Sequence, residues 1–291
     1  MPLQVVQVAA VTTQRDLSGA RARIELNIGA QIYGNSRSMT LYHADAVMSG
    51  NSIVRNNGIH AGEIAWNINF PGTGIHMRNS VLEMRDMSSV SFNSNYAAGS
   101  ATTNGGGIWA DTTATLHMYN FSSINDNGAG ASGGGVWSRG IINMRGNSSI
   151  THNTAHHQVG GGIHHYGTVV NMFDTALVAH NAANMANAGG ISLTASPSAP
   201  VGTVVSLNMF NNATIYDNFA AVNGGGVTVG VALGNGVVQM YMHDNSRVIG
   251  SRTSMNSASS IGGGIAMLNS ANGGSTLTLN DNALIADNHS L

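Results

Sequence analysis

The chain has 291 residues, of which 42% are hydrophobic and only 8% charged, with 38 glycines and 4 prolines. That is enough apolar material for a large core and too little charge for ordinary disorder. Every basic residue is arginine, net charge is −2 and cysteine is absent, so nothing points to nucleic acid, anionic lipid, disulfides or thiolate metal sites.

Residues 1–20 contain LQVVQVAAV but lack the basic start and long apolar stretch of a secretion signal. They are read as an N-terminal cap or an extra strand. No run of about 18 apolar residues follows anywhere, so no membrane span is expected. From residue 21 to residue 291 the chain repeats itself, which governs everything else. The first copy, IELNIGAQIYGN, ends at Asn35. The segment LYHADAVMSGNSIVRNN reads as a second copy, one residue out of register. Then come LEMRDMSSVSFN, LHMYNFSSINDN, INMRGNSSITHN, VNMFDTALVAHN and LNMFNNATIYDN, a degraded QMYMHDNSRVIG, and finally LTLNDNALIADN. Between copies, GGG followed by a β-branched residue recurs at Gly105–Ile108, Gly133–Val136, Gly160–Ile163, Gly224–Val227 and Gly262–Ile265, with an AGGI variant ending at Ile191.

The aligned columns have chemical identities. An anchor column holds Leu26, Met84, Met118, Met144, Met172, Met209, Met242 and Leu279. Two residues earlier and six residues later the side chain is large and aliphatic; four residues later it is always Ala or Ser. These even offsets are the period of a strand with one buried face. Asp, Asn or Gly two residues after most anchors marks a corner, with the small residue inside the bend. Nine residues after the anchor stand Asn35, Asn93, Asn127, Asn153, Asn181, Asn218 and Asn288, with Ser251 the departure. The middle anchors Met118, Met144 and Met172 lie 26 and 28 residues apart, too short for a propeller blade and suited to three short strands with turns. The expected fold is all-β: a single-stranded right-handed parallel β-helix, or β-solenoid, of about nine coils, a rod of roughly 40 Å at strand spacing. The asparagines then form an amide ladder, stacked from coil to coil.

At these residues a family can be named. GGG-[IV] alternating with hydrophobic-x-x-Asn resembles the GGA[ILV] and FxxN repeats of chlamydial polymorphic outer-membrane proteins, and is similar to β-helix repeats of autotransporter passengers. This chain departs by carrying a third Gly in place of Ala. The resemblance implies a surface-exposed passenger or adhesin-like rod, with no particular receptor.

The chemistry is sparse. Asp86, Asp174, Asp244 and Asp281 belong to the corner column, and Asp126, Asp217 and Asp287 precede the asparagines, so turn formation accounts for them better than catalysis does. His152 and His180 share that second column and are expected outward on consecutive coils, a candidate surface contact. His156, His157, His164 and His165 flank the third GGG run. Neither a metal site nor a cofactor is expected: three convergent ligands are not evident. The GGG runs are not phosphate loops, because no lysine or helix follows. Trp109 and Trp137 each follow GGG-[IV] and are expected to face outward, as a local stack or as a contact platform for glycan or partner; Trp66 stands apart. The final copy is a full rung without a charged cap, which suggests end-to-end stacking. The expectation is therefore a non-enzymatic extracellular or bacterial cell-surface structural, adhesin-like β-helix that assembles end to end into a homo-oligomer or filament and touches a host surface or glycan. The alternative is a polysaccharide-acting or receptor-binding β-helix of the phage tailspike type.

Overall fold

The computed structural model describes residues 21–35, 39–58, 73–96, 102–196, 200, 202–230, 236–254, 261–268 and 273–290, together with the backbone of 11–12. Of the N-terminal segment 1–20, only the strand Val11–Thr12 lies within these residues, and it pairs with Met39–Tyr42. Trp66 and Glu63 lie outside them.

The chain is a parallel β-helix. Each turn of the middle coils uses four short strands, as in Val136–Ser138, Ile141–Met144, Ser149–Thr151 and Thr154–Ala155. Like strands of successive coils pair in parallel, giving three nine-stranded sheets and one six-stranded sheet. The first sheet gathers the strands after the glycine motif, the second the anchor strands, and the third the strands past the corner. The fourth consists of two-residue strands directly after the asparagine column. Sequence periodicity does not reveal that fourth sheet, because two residues have no side-chain period.

Register follows the columns. Met84, Met118, Met144, Met172 and Met209 are mutual partners along the second sheet, and Val90, Ile124, Ile150, Val178 and Ile215 along the third. These side chains are wholly buried in one continuous core with Ile108, Val136, Ile163 and Ile191 of the first sheet. Each such side chain contributes about 1.5–3 kcal/mol on burial. Methionine, unbranched and pliant, fills the irregular space at the anchor.

One expectation needs correction. The segment after Tyr42 is in register, not one residue out: Ala46 pairs with Leu82, Met48 with Met84 and Val54 with Val90. Ala46 is small where other coils carry Leu or Ile, which hides the copy. It adds Met48 to the anchors and Asn57 to the asparagine column.

The corners explain the Asp, Asn and Gly interchange. Asp86, Asn120, Asp174, Asn211, Asp244 and Asp281 all have φ between 56° and 59°. This left-handed region is costly for most L-residues and least so for Gly, Asn and Asp. Four residues past the anchor, Ser88, Ser122, Ser148, Ala176 and Ala213 are wholly buried inside the bend.

Candidate functional site

The asparagine column is an internal hydrogen-bonded ladder. Asn127 donates its backbone N–H and its Nδ2 to Asn153 Oδ1, both at 3.0 Å. Asn153 does the same to Asn181 at 2.9 and 3.0 Å, and Asn181 to Asn218 at the same distances. Each amide also donates to the carbonyl of the preceding coil's third strand, as Asn153 does to Ile124 at 3.0 Å. Asn35, Asn57 and Asn93 continue the ladder upstream. At Ser251 it narrows: Asn218 N–H reaches Ser251 Oγ at 3.3 Å, and Ser251 N–H donates to Asn288 Oδ1 at 2.9 Å. The buried amides are saturated by one another, so this column is structural.

The third glycine of each motif exists because of that ladder. A Cβ at Gly135 would lie 2.7 Å from Gly162 O and 3.0 Å from the Asn153 amide; Gly107 and Gly162 are placed alike against Asn127 and Asn181. An alanine there, as in the repeats this motif resembles, would collide with the next coil.

The carboxylates are engaged outside. At the corners Gly146 N–H donates to Asp174, Asp174 N–H to Asn211, Asn211 N–H to Asp244 and Asp244 N–H to Asp281, at 2.7–3.1 Å. Asp111 pairs with Arg78, Asp45 with Arg21 and Glu83 with Arg85. Asp217 bridges His180 Nδ1 at 3.1 Å and Arg252 at 2.9 Å. His152 and His180 are exposed and stacked, ring centres 5.0 Å apart. Their φ angles are 57° and 55°, so this column too is set by a left-handed backbone. Among the described residues no group of three His, Asp or Glu is placed to hold a metal ion.

The outward face of the first sheet differs. In register lie His76, Trp109, Trp137, His164, Ser192 and Thr228. Trp109 and Trp137 stack in parallel at 5.2 Å, and His76 covers the other side of Trp109 at 4.4 Å. Both tryptophans point away from the core as expected, but Trp137 does not lie open: it is only 6% exposed, held between Trp109, Tyr166 and the Arg139 guanidinium 5.1 Å away. Their stacked faces are turned to each other along the rod.

His164 is 3% exposed and His165 is wholly buried. Alternation turns His164 outward beneath Tyr166, ring centres 4.3 Å apart, and His165 inward beside Ser138 and Leu193. None of their four ring nitrogens has a hydrogen-bond partner among the described residues. Burial pushes both imidazoles down to about 3, and for His164 the neighbouring His165 adds to the effect. His164 and Tyr166 line two adjoining cavities. One of about 200 Å³ is shared with Asn104, Ser132, Trp137 and Arg139. The other, about 320 Å³, runs on past Ser192, Thr194 and Thr228. Their floor is the first sheet, and their walls are the residues entering and leaving its strands.

The fold and this site define a parallel β-helix with an internal amide ladder and a lined hollow on one face. No family model, curated protein or solved structure matches the chain.

Proposed function

We propose that the chain is a non-enzymatic, extracellular structural rod of a bacterial cell surface, adhesin-like, which works by contact and stacks end to end. The observation that carries this reading is the regularity of the columns, which repeat from coil to coil in parallel register. The coil of Ser275–Leu279 carries the same set as the coil of Ala22–Leu26: Leu277 matches Ile24, Leu279 matches Leu26, Ile285 matches Ile32 and Asn288 matches Asn35. A second copy placed head to tail would continue every column, with Asn288 donating to Asn35 Oδ1 as each ladder residue does to the next. Open strand edges over apolar side chains are templates for such pairing.

The engagement of the carboxylates in corners, ladders and ion pairs also supports contact rather than catalysis, since sugar-cleaving pairs must face a substrate across a set gap. A rod with continuous outer columns is the shape that the resemblance to surface passengers implies. Sedimentation at rising concentration tests the proposal. Growth of the sedimenting species with concentration, abolished by Leu279→Arg, is expected; a monomer at every concentration would sink it. The second reading, a glycan- or receptor-binding β-helix, is favoured by the hollow over His164.

A further inference from the structure

We infer that the two cavities meeting at His164 and Tyr166 form one binding site for an anion-bearing sugar unit. The inference deepens the contact reading above and rests on it for its biological role.

The first argument is size and place. The larger cavity stands at the lower end of the range of small-ligand sites, about 300–1,000 Å³, and the smaller adjoins it across the same two rings. The floor lies mid-sheet, where Val136–Ser138, Ile163–His165 and Ile191–Leu193 are each paired on both sides. No strand edge is open there, so a peptide could not be read by backbone pairing. Recognition must come from side chains.

The second argument is their chemistry. Asn104, Ser132, Ser192 and Thr194 line the cavities with amide and hydroxyl groups. Part of their capacity is spent on each other, Asn104 Oδ1 accepting from Ser132 N–H, Ser132 Oγ donating to Gln158 and Ser192 Oγ lying 3.3 Å from Thr194 Oγ1; the Asn104 amide N–H groups and the remaining hydroxyl lone pairs are what a sugar's hydroxyls would meet. Tyr166, which lines both cavities, supplies the apolar wall that a sugar's C–H face needs. Among the described residues no carboxylate lines either cavity.

The third argument is what lacks a partner. Arg139 is exposed, borders the smaller cavity and makes no ion pair among the described residues. Its charge is felt at the Tyr166 hydroxyl, which burial raises and Arg139 lowers. A guanidinium is built to hold a carboxylate or sulfate through two parallel hydrogen bonds. His164 lies at the junction as part of the floor, its ring beneath Tyr166 and its nitrogens shielded from the cavities.

The test is titration of the full chain with glucuronate, glucose and acetate, read by tryptophan fluorescence and by ligand-observed magnetic resonance. Glucuronate is expected to bind with Kd near ~1 mM, as suits so small a ligand. Glucose and acetate should bind at least tenfold more weakly, and Arg139→Gln should lower glucuronate to the level of glucose. Arg139 is exposed, so this variant should keep its fold, which circular dichroism checks. No saturable change with any sugar would overturn the inference, as would equal binding of glucose, equal binding of acetate, or glucuronate binding unmoved by Arg139→Gln. A chain that binds no sugar yet grows with concentration sinks this site and leaves the end-to-end reading intact.

Discussion

Asn153 is wholly buried, yet its amide accepts two hydrogen bonds from Asn127 and donates to Asn181 and to Ile124. Removing it strands two donors of Asn127 in the coil before and takes one donor each from Ile124 O in that coil and Asn181 Oδ1 in the coil after. Asn153→Ala is expected to cost about 3 kcal/mol, visible as a clear drop in thermal midpoint. The converse change repairs the ladder. At Ser251→Asn, the new amide could accept from Asn218 Nδ2, whose ladder partner is absent there, and donate onward to Asn288; a gain of about 1–2 kcal/mol is expected. Ser148 carries the opposite lesson. Its hydroxyl is buried without a partner, and other coils hold alanine in its place. Ser148→Ala should therefore raise stability, by about 1 kcal/mol; a loss in chemical denaturation would refute the packing described. His164 and His165 set a pH dependence. Both are neutral when folded, with pKa about 3 against 6.5 for an ordinary imidazole. Below pH 6.5 the unfolded chain takes up protons that the fold refuses, so stability falls as pH drops from about 6.5 toward 3. The slope is about 1.4 kcal/mol per pH unit for each histidine. His165→Leu should roughly halve that slope between pH 6 and 4.

At the scale of the element, the glycine motif and the asparagine ladder are two halves of one contact. Gly135 is tight against Asn153 and the next coil, so Gly135→Ala should shift strands apart and lower the thermal midpoint even though alanine favours folded chains elsewhere. Most of this was readable in the chain. The even offsets gave the strands, and the anchor, small-residue and asparagine columns gave the coil. What escaped has physical causes. Asn57 was hidden because Ala46 breaks the aliphatic column. The fourth sheet was hidden because two-residue strands carry no alternation. The Asp and His residues before the asparagines looked like tolerant surface, whereas their shared property is a left-handed backbone, as in His152 and Asp126. Whether Trp137 lies open depends on Arg139 and Tyr166, which directly follow their strands at equivalent places in successive coils, a position with no fixed residue type. The cavity over His164 depends on the same two residues, and no column predicts a hollow.

The described residues form nine coils in which the core columns continue from one coil to the next. Stability is a sum of coil interiors and coil-to-coil contacts, as in other solenoids. That additivity is why a coil of one copy could follow a coil of another: the columns of Leu277, Leu279 and Ile285 are chemically those of Ile24, Leu26 and Ile32. The proposed assembly and sugar-binding surfaces differ, one across the axis and one along the first sheet, so neither is expected to block the other. The most direct measurement is electron microscopy of the purified chain over a range of concentrations. The account predicts thin rods, one β-helix wide, that lengthen in steps of roughly 40 Å as copies join head to tail. Compact particles without a rod axis, or single rods that never lengthen, would contradict it.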